Sequence, residues 1–384
     1  MTVLAHGIGS SSDLPLPLDL VLQAGAATVV VSFLIAAFWW RSPRLAGSVP
    51  RAVTKGWLRW PVLVIALYAG LSDVSAYALF IWLWVGLVPV SVVLGPVWRA
   101  VNPLRTIFGL LVRLGLPARG LRPSGSRAVW PAVAGLTAFL WFELVAPHRS
   151  DPLVVSCVIS AYAVTQLTCA ALRGEEWFAR GDFVEVYSDL AGRLIPLGAL
   201  AAPLRRGAAA FVAVWWGSTV FDSASGSPAW AGFVQRVGYA PLWATAGLLL
   251  VCAVVWLAVR WTAGRLDVTA SLIPIAVGYT LAHYLSLLIV EGPRGVLLML
   301  QQWGLAGGAS WDVVPIPGVI AGLQVASILA GHVLGVIVAH DAALAADGSE
   351  DSPRPVLITL ADELPLVLFM IGCTWTGLFL LFVR

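Results

Sequence analysis

Charge is what this sequence lacks. Only 11% of its 384 residues are Asp, Glu, Lys or Arg, while 59% are hydrophobic. A soluble domain carries about 25% charged residues. So small a supply cannot cover a water-exposed surface, and it places the chain in the polytopic membrane class. Cysteine is also scarce. Cys157, Cys169, Cys252 and Cys373 lie inside apolar runs with no CxxC pair. They read as small packing residues rather than a disulfide framework or a thiolate metal site. GxSxG, HExxH and GxxxxGK[ST] are all missing, which removes the common soluble-enzyme signatures. HGIGSSSD near the start is rich in Gly and Ser but leads into an apolar run, so it does not read as a nucleotide loop. The opening MTVLAHGIG is too short and uncharged for a cleavable signal peptide, and the first apolar run is expected to insert as its own anchor. No internal repeat is visible, which weakens an inverted-repeat transporter reading.

Long apolar runs are what the chain has instead. About 20 residues of helix cross about 30 Å of hydrocarbon. Ten runs qualify as spans: 18–40, 57–72, 76–97, 129–147, 153–172, 207–222, 240–260, 268–290, 318–340 and 364–383. The 19 tryptophans suit many membrane–water interfaces. Net charge is only +3, but its placement is informative. With the N-terminus outside, nearly all Lys and Arg fall in inner connections, and only Arg149, Arg236, Arg294 and Arg384 fall outside. The expected fold is therefore an all-α bundle in the plasma (inner) membrane, forming one transmembrane domain over residues 1–384 with both termini extracytoplasmic. Its partner is the lipid bilayer, with a second copy or a partner subunit as further options. The basic inner face is explained by topology and lends no support to nucleic-acid binding.

Two inner connections carry pattern of their own. Residues 104–117 set two arginines in an apolar frame, and 175–194 alternate charge with Trp177, Phe178, Phe183, Tyr187 and Leu190. Both are expected to lie as amphipathic helices in the inner interface. Structured connecting loops are the alternative for the second. The Gly-, Pro- and Trp-rich stretch 291–317 reads as an outer loop, and Pro365 as the first turn of the last span.

Ionisable residues inside spans are costly and therefore candidate functional groups. Glu143, His283, Tyr284, Gln324 and Asp222 share the outer third of the bilayer, with His6 and His148 just beyond it. His332 lies about 12 Å above the inner end of span nine at 1.5 Å per residue. His340 and Asp341 sit at that inner end. Each has an ordinary alternative: an interfacial carboxylate for Glu143, a span terminus for Asp222, His340 and Asp341, and a neutral imidazole bonded to backbone or hydroxyl for His283 and His332. Ser327, Gly331, Gly335 and Ala339 recur every four residues, so span nine is expected to pack tightly on a neighbour.

These pieces together resemble a known family. AHGIG…DLPLPL, VWRAVNPLRT, WFELV, PIAVGY…AHYLSLL and GHVLGVIVAHD run along most of the chain. They are similar to bacterial integral membrane proteins of the actinobacterial, fenitrothion hydrolase-like type. Some relatives carry a signal-peptide-like stretch before AHG that would put the counterpart of His6 at an extracytoplasmic N-terminus; this chain lacks it. The resemblance implies hydrolysis of an organophosphate triester with an aryl phenol as leaving group. That chemistry calls for an activated water and a Lewis acid, both supplied by a divalent metal such as zinc or copper. His283, Glu143, His6 and His148 then stand as metal ligands, and Glu143, His283 and Tyr284 as the catalytic set. A carrier of protons, metal ions or a small solute is the competing reading, with His283 and His332 as steps on the path. A subunit without chemistry is the third. Haem is disfavoured, because the heights of His283 and His332 differ by about 10 Å.

Overall fold

The computed structural model describes residues 14, 17–45, 47, 52, 54–122, 127–263, 268–347 and 356–382. It is all-helical, with no strand among the described residues. In chain order the helices are α1 Leu18–Trp39, α2 Arg59–Gly70, a π-helical stretch Tyr77–Val85 leading into α3 Leu87–Leu94, α4 Val97–Val101, α5 Pro103–Arg113 and α6 Trp130–Leu144. Then follow α7 Pro152–Arg173, α8 Phe178–Gly181, α9 Phe183–Ala191, α10 Ala208–Ser225, α11 Pro228–Val237, α12 Ala240–Ala263, α13 Thr269–Gln302, α14 Pro317–Asp347 and α15 Val356–Phe382.

Among the described residues, seven helical segments are long and apolar enough to cross a membrane, namely Leu18–Trp39, Tyr77–Leu94, Pro152–Arg173, Ala240–Trp261, Thr269–Gln302, Pro317–Ala346 and Leu364–Phe382. The other three expected spans are helical too, but shorter or less apolar. Helix α2 has 12 residues and covers about 18 Å. Helix α6 has 15. Helix α10 has 18, but it carries Asp222 and several hydroxyls, and most of its surface is covered by protein. A helix sheathed by its neighbours needs no lipid-compatible surface, so hydropathy understates it.

Helix α13 is the centre of the bundle. It packs against α14, α10 and the π-helical stretch, and Pro274 and Pro293 lie inside it. The seam with α14 is set by small residues. A Cβ built on Gly331 would stand 2.6 Å from Pro274 O, and one on Gly335 2.7 Å from Ser271 O. Gly278 faces Ser327 and Gly331 from the other side. Glycine is required there because the partner's carbonyl oxygens occupy the space of a side chain, the close backbone approach expected from the four-residue ladder.

Three expectations change. Helix α13 runs through Pro293 to Gln302, so the connection to α14 begins about twelve residues later than the sequence suggested. Pro365 lies inside α15 rather than in its first turn. The segment 175–194 is not one amphipathic helix but a short turn followed by α8 and α9. Eight of the nine residues of α9 are buried, against α3, α4, α6 and α13. Glu185 is paired with Arg105 inside the protein, and Asp189 alone keeps about half of its side chain exposed. By contrast α5 is two-faced. Pro103, Thr106 and Phe108 are buried, while Leu110, Leu111 and the following Leu114 are exposed, the form expected of an interfacial helix.

Candidate functional site

Asp222 and Ser223 occupy the last turn of α10, and Tyr279, Thr280, His283 and Tyr284 one face of the middle of α13. Residues four apart on a helix share a face, so Tyr279 and His283, and Thr280 and Tyr284, are stacked one turn apart. His283 Nε2 lies 2.8 Å from Asp222 Oδ2, and its Nδ1 lies 3.0 Å from Ser223 Oγ. Two consecutive residues of α10 thus clasp the imidazole from both sides. Tyr284 OH donates to Asp222 Oδ2 at 3.2 Å, and Ser223 Oγ shares a 3.0 Å bond with Tyr279 OH. The result is one chain of hydrogen bonds, Tyr279–Ser223–His283–Asp222–Tyr284. His283 is 1% exposed and Asp222 8%.

A carboxylate accepts only, so with Asp222 ionised Nε2 carries the proton and Nδ1 accepts from Ser223. Glu143 stands beside the chain at the end of α6. It is 5% exposed, its Oε2 has no partner among the described residues, and it lies within electrostatic reach of Asp222, Tyr284, Tyr187 and Arg149. Two carboxyl groups and an imidazole thus lie side by side, buried from solvent.

The other expected site residues fall elsewhere. Gln324 is fully buried and donates to Ala282 O at 2.9 Å, on the backbone next to His283 rather than on its ring. His332 donates from Nδ1 to Ile328 O at 2.9 Å, one turn back on its own helix, and its Nε2 has no partner. His340 and Asp341 do not end a helix, since α14 continues to Asp347. They tie down the chain that leaves α1. His340 Nε2 donates to Trp40 O at 2.9 Å, and the Asp341 carboxylate accepts from Trp40 Nε1 at 2.9 Å, Arg44 N at 2.6 Å and Leu45 N at 3.2 Å. His148 is exposed beyond α6. His6 lies outside the described residues.

A metal ion held here would need these donors free to face it. Both ring nitrogens of His283 are engaged, one of them directly by the carboxylate that would be its co-ligand. Among the described residues no three His, Cys, Asp or Glu side chains come together to hold a metal ion. Among the described residues, these donors are turned toward one another rather than toward a shared point.

A second polar group, which the sequence reading passed over, is built around α9. Asp182 caps that helix, accepting from Val184 N. It also accepts from Tyr162 OH at 2.7 Å, Asn102 Nδ2 at 2.8 Å and Trp98 Nε1 at 3.3 Å. Glu185 receives a two-pronged contact from Arg105, Nε and Nη2 each at 2.7 Å. Asn102 in turn caps α5. Burial, reinforced by the charge of Glu185, raises the Asp182 carboxyl to about 6 against the pull of its donors. The signal was in the sequence: acids repeated in a charge-poor chain, opposite the arginines of VWRAVNPLRT.

Aromatic rings separate the two polar groups. Tyr187 of α9 stacks on Trp84 with centroids 4.8 Å apart and donates to Trp84 O at 3.0 Å. Trp84 and Phe183 each lie 5.2 Å from Phe139, and Tyr162 lies edge-on to Phe183. The stack begins at Trp84, beside Tyr284, and ends at Tyr162 on Asp182. Comparison with family models, characterised proteins and solved structures gives no match, so the reading of the site rests on its own geometry.

Proposed function

We propose that this protein is a proton-coupled membrane carrier in which Glu143, Asp222 and His283 take up and release the proton. One observation carries the reading: a buried imidazole with both nitrogens in hydrogen bonds, beside a second carboxyl group with a free oxygen. Such a ring accepts a proton on one nitrogen and passes one on from the other without turning. Ionisable chains of this kind inside a bilayer are otherwise costly. In this reading the ten helical segments span the plasma membrane with the N-terminus outside. The arginine-rich connections then lie inside, and the His283 layer faces outward. The Trp84–Tyr187 stack is the barrier between that layer and the Asp182 group.

A second reading is favoured by the order hydroxyl–imidazole–carboxylate in Ser223–His283–Asp222, the arrangement that activates a serine. Joined to the resemblance to fenitrothion hydrolase-like proteins, it makes Ser223 the candidate nucleophile toward an apolar phosphotriester arriving from the lipid.

Liposomes enclosing a pH-sensitive dye distinguish the two. Under an imposed pH gradient the protein is expected to carry protons well above protein-free vesicles. Asp222→Asn and His283→Asn, each with an unchanged melting point, are expected to lower that flux at least tenfold, and Ser223→Ala far less. Equal flux in all three variants would overturn the carrier reading. Release of phenol from a phosphotriester, lost in Ser223→Ala, would support the hydrolase.

A further inference from the structure

A cavity of about 40 Å³ opens on the arginine-rich side of the bundle, away from the His283 layer. Arg99 of α4, Glu185 and Asp189 of α9, and Arg193 and Arg205 of the connection to α10 line it. A single water needs about 10–15 Å³ measured this way, so the space suits a few waters or one tetrahedral oxyanion.

The charges around it do not cancel. Glu185 is already neutralised from its far side by the two-pronged contact of Arg105. Asp189 lies 3.6 Å from Arg193 and is half exposed. Arg193 is 8% exposed; Nη1 donates to Ala199 O and Ala202 O, while its Nε–H has no partner. Arg205 is oriented by donation from Nη1 to Ala179 O at 2.5 Å, which leaves its other donors open. Arg99 is exposed and makes no hydrogen bond or ion pair among the described residues. Three guanidinium groups from two chain segments therefore border one small cavity with donors to spare. Arg193 has Asp189 for a counter-charge, but its buried Nε–H still lacks an acceptor, which is costly unless one enters the cavity.

We propose that this cavity is a binding site for a phosphate-type oxyanion. Arg99 and Arg205 close over it from the rim, and Arg193 supports it from within. The planar guanidinium fork matches two oxygens of a tetrahedral anion and stays charged at every physiological pH. The same chemistry is offered by free inorganic phosphate and by the headgroup of an anionic lipid.

The test uses full-length protein stripped of lipid in a neutral detergent. Melting is followed against inorganic phosphate and, separately, against short-chain phosphatidic acid, with chloride holding ionic strength constant. The wild-type melting point is expected to rise once the anion exceeds its Kd and then to climb with the logarithm of its concentration, as RT ln(1 + [L]/Kd) requires. Arg99→Gln, which removes an exposed side chain with no partner among the described residues, is expected to move the onset of that rise to about tenfold higher concentration. Arg205→Gln should do the same. A response to inorganic phosphate assigns a free anion; a response to phosphatidic acid alone assigns a lipid headgroup. No rise with either beyond the chloride control, or one with the same onset in wild type and both variants, overturns the proposal.

Discussion

Replacing Gly331 by alanine tests whether the α13–α14 seam holds this bundle together. The new methyl group would stand 2.6 Å from Pro274 O, where ordinary contact begins near 3.4 Å. About 0.8 Å must be found, and the obstacle is a backbone carbonyl of a helix packed on all sides, which cannot rotate away. The two helices must separate locally, with loss of contacts at Gly278 and Gly335. Overpacking of this kind costs about 1–3 kcal/mol. Alanine in place of glycine otherwise favours a helix by about 0.5–1 kcal/mol. The proper reference is Gly322, on the same helix, where nothing lies within 4 Å of the added atom. Gly331→Ala is therefore expected to be about 1–3 kcal/mol less stable than Gly322→Ala, read from the unfolding midpoint in a titration with a denaturing detergent. Gly278→Ala should behave like Gly331→Ala. The double variant should cost less than the sum, because a Cβ on Gly278 would also meet Gly331 Cα at 3.2 Å. Equal midpoints for Gly331→Ala and Gly322→Ala would refute the claim that glycine is there for lack of space.

Two other perturbations follow from the polar groups. Asp341→Ala leaves Trp40 Nε1, Arg44 N and Leu45 N without their acceptor, and hydrogen bonds to a charged group are worth about 1.5–3 kcal/mol each. Hydrogen exchange at residues 40–45 is expected to quicken at least tenfold, and unchanged protection there would show that the tether is not needed. Asp182 is protonated more readily in the folded chain than at its ordinary value of 3.8. Its contribution to stability is therefore fully present below about pH 4 and is lost as pH rises through about 6. Asp182→Asn cannot titrate, so the melting point of wild type relative to this variant should fall between pH 4 and pH 7. A constant difference over that range would contradict the burial argument.

Helix was legible wherever the side chains meet lipid, because there hydropathy alone decides. The apolar frames of α1, α7, α12 and α14 are plain in the sequence for that reason. Counting residues from the span ends set Glu143, Asp222 and His283 at similar heights, and the fold brings the three close together. Angle around each helix was not legible, because it depends on which neighbour each face meets. Only the packed bundle shows that Asp222 and Ser223 turn toward the two nitrogens of His283 while Gln324 turns to a backbone carbonyl. Only packing separates His332, bonded to its own helix, from His340 and Asp341, which reach the chain beyond α1.

The same division explains α9. Its sequence, acids alternating with aromatics, is what an interfacial helix would show. Its burial depends on partners about eighty residues earlier, Asn102 and Arg105, whose donors make an acidic helix tolerable inside protein. Composition and periodicity determined that this is a helical protein of the membrane type and which polar residues lie within its apolar helices, since long apolar runs follow from the hydrocarbon such a chain crosses. Tertiary structure decided which of those residues act together, because hydrogen bonds of about 3 Å are set by helix rotation and close packing, which no single segment encodes.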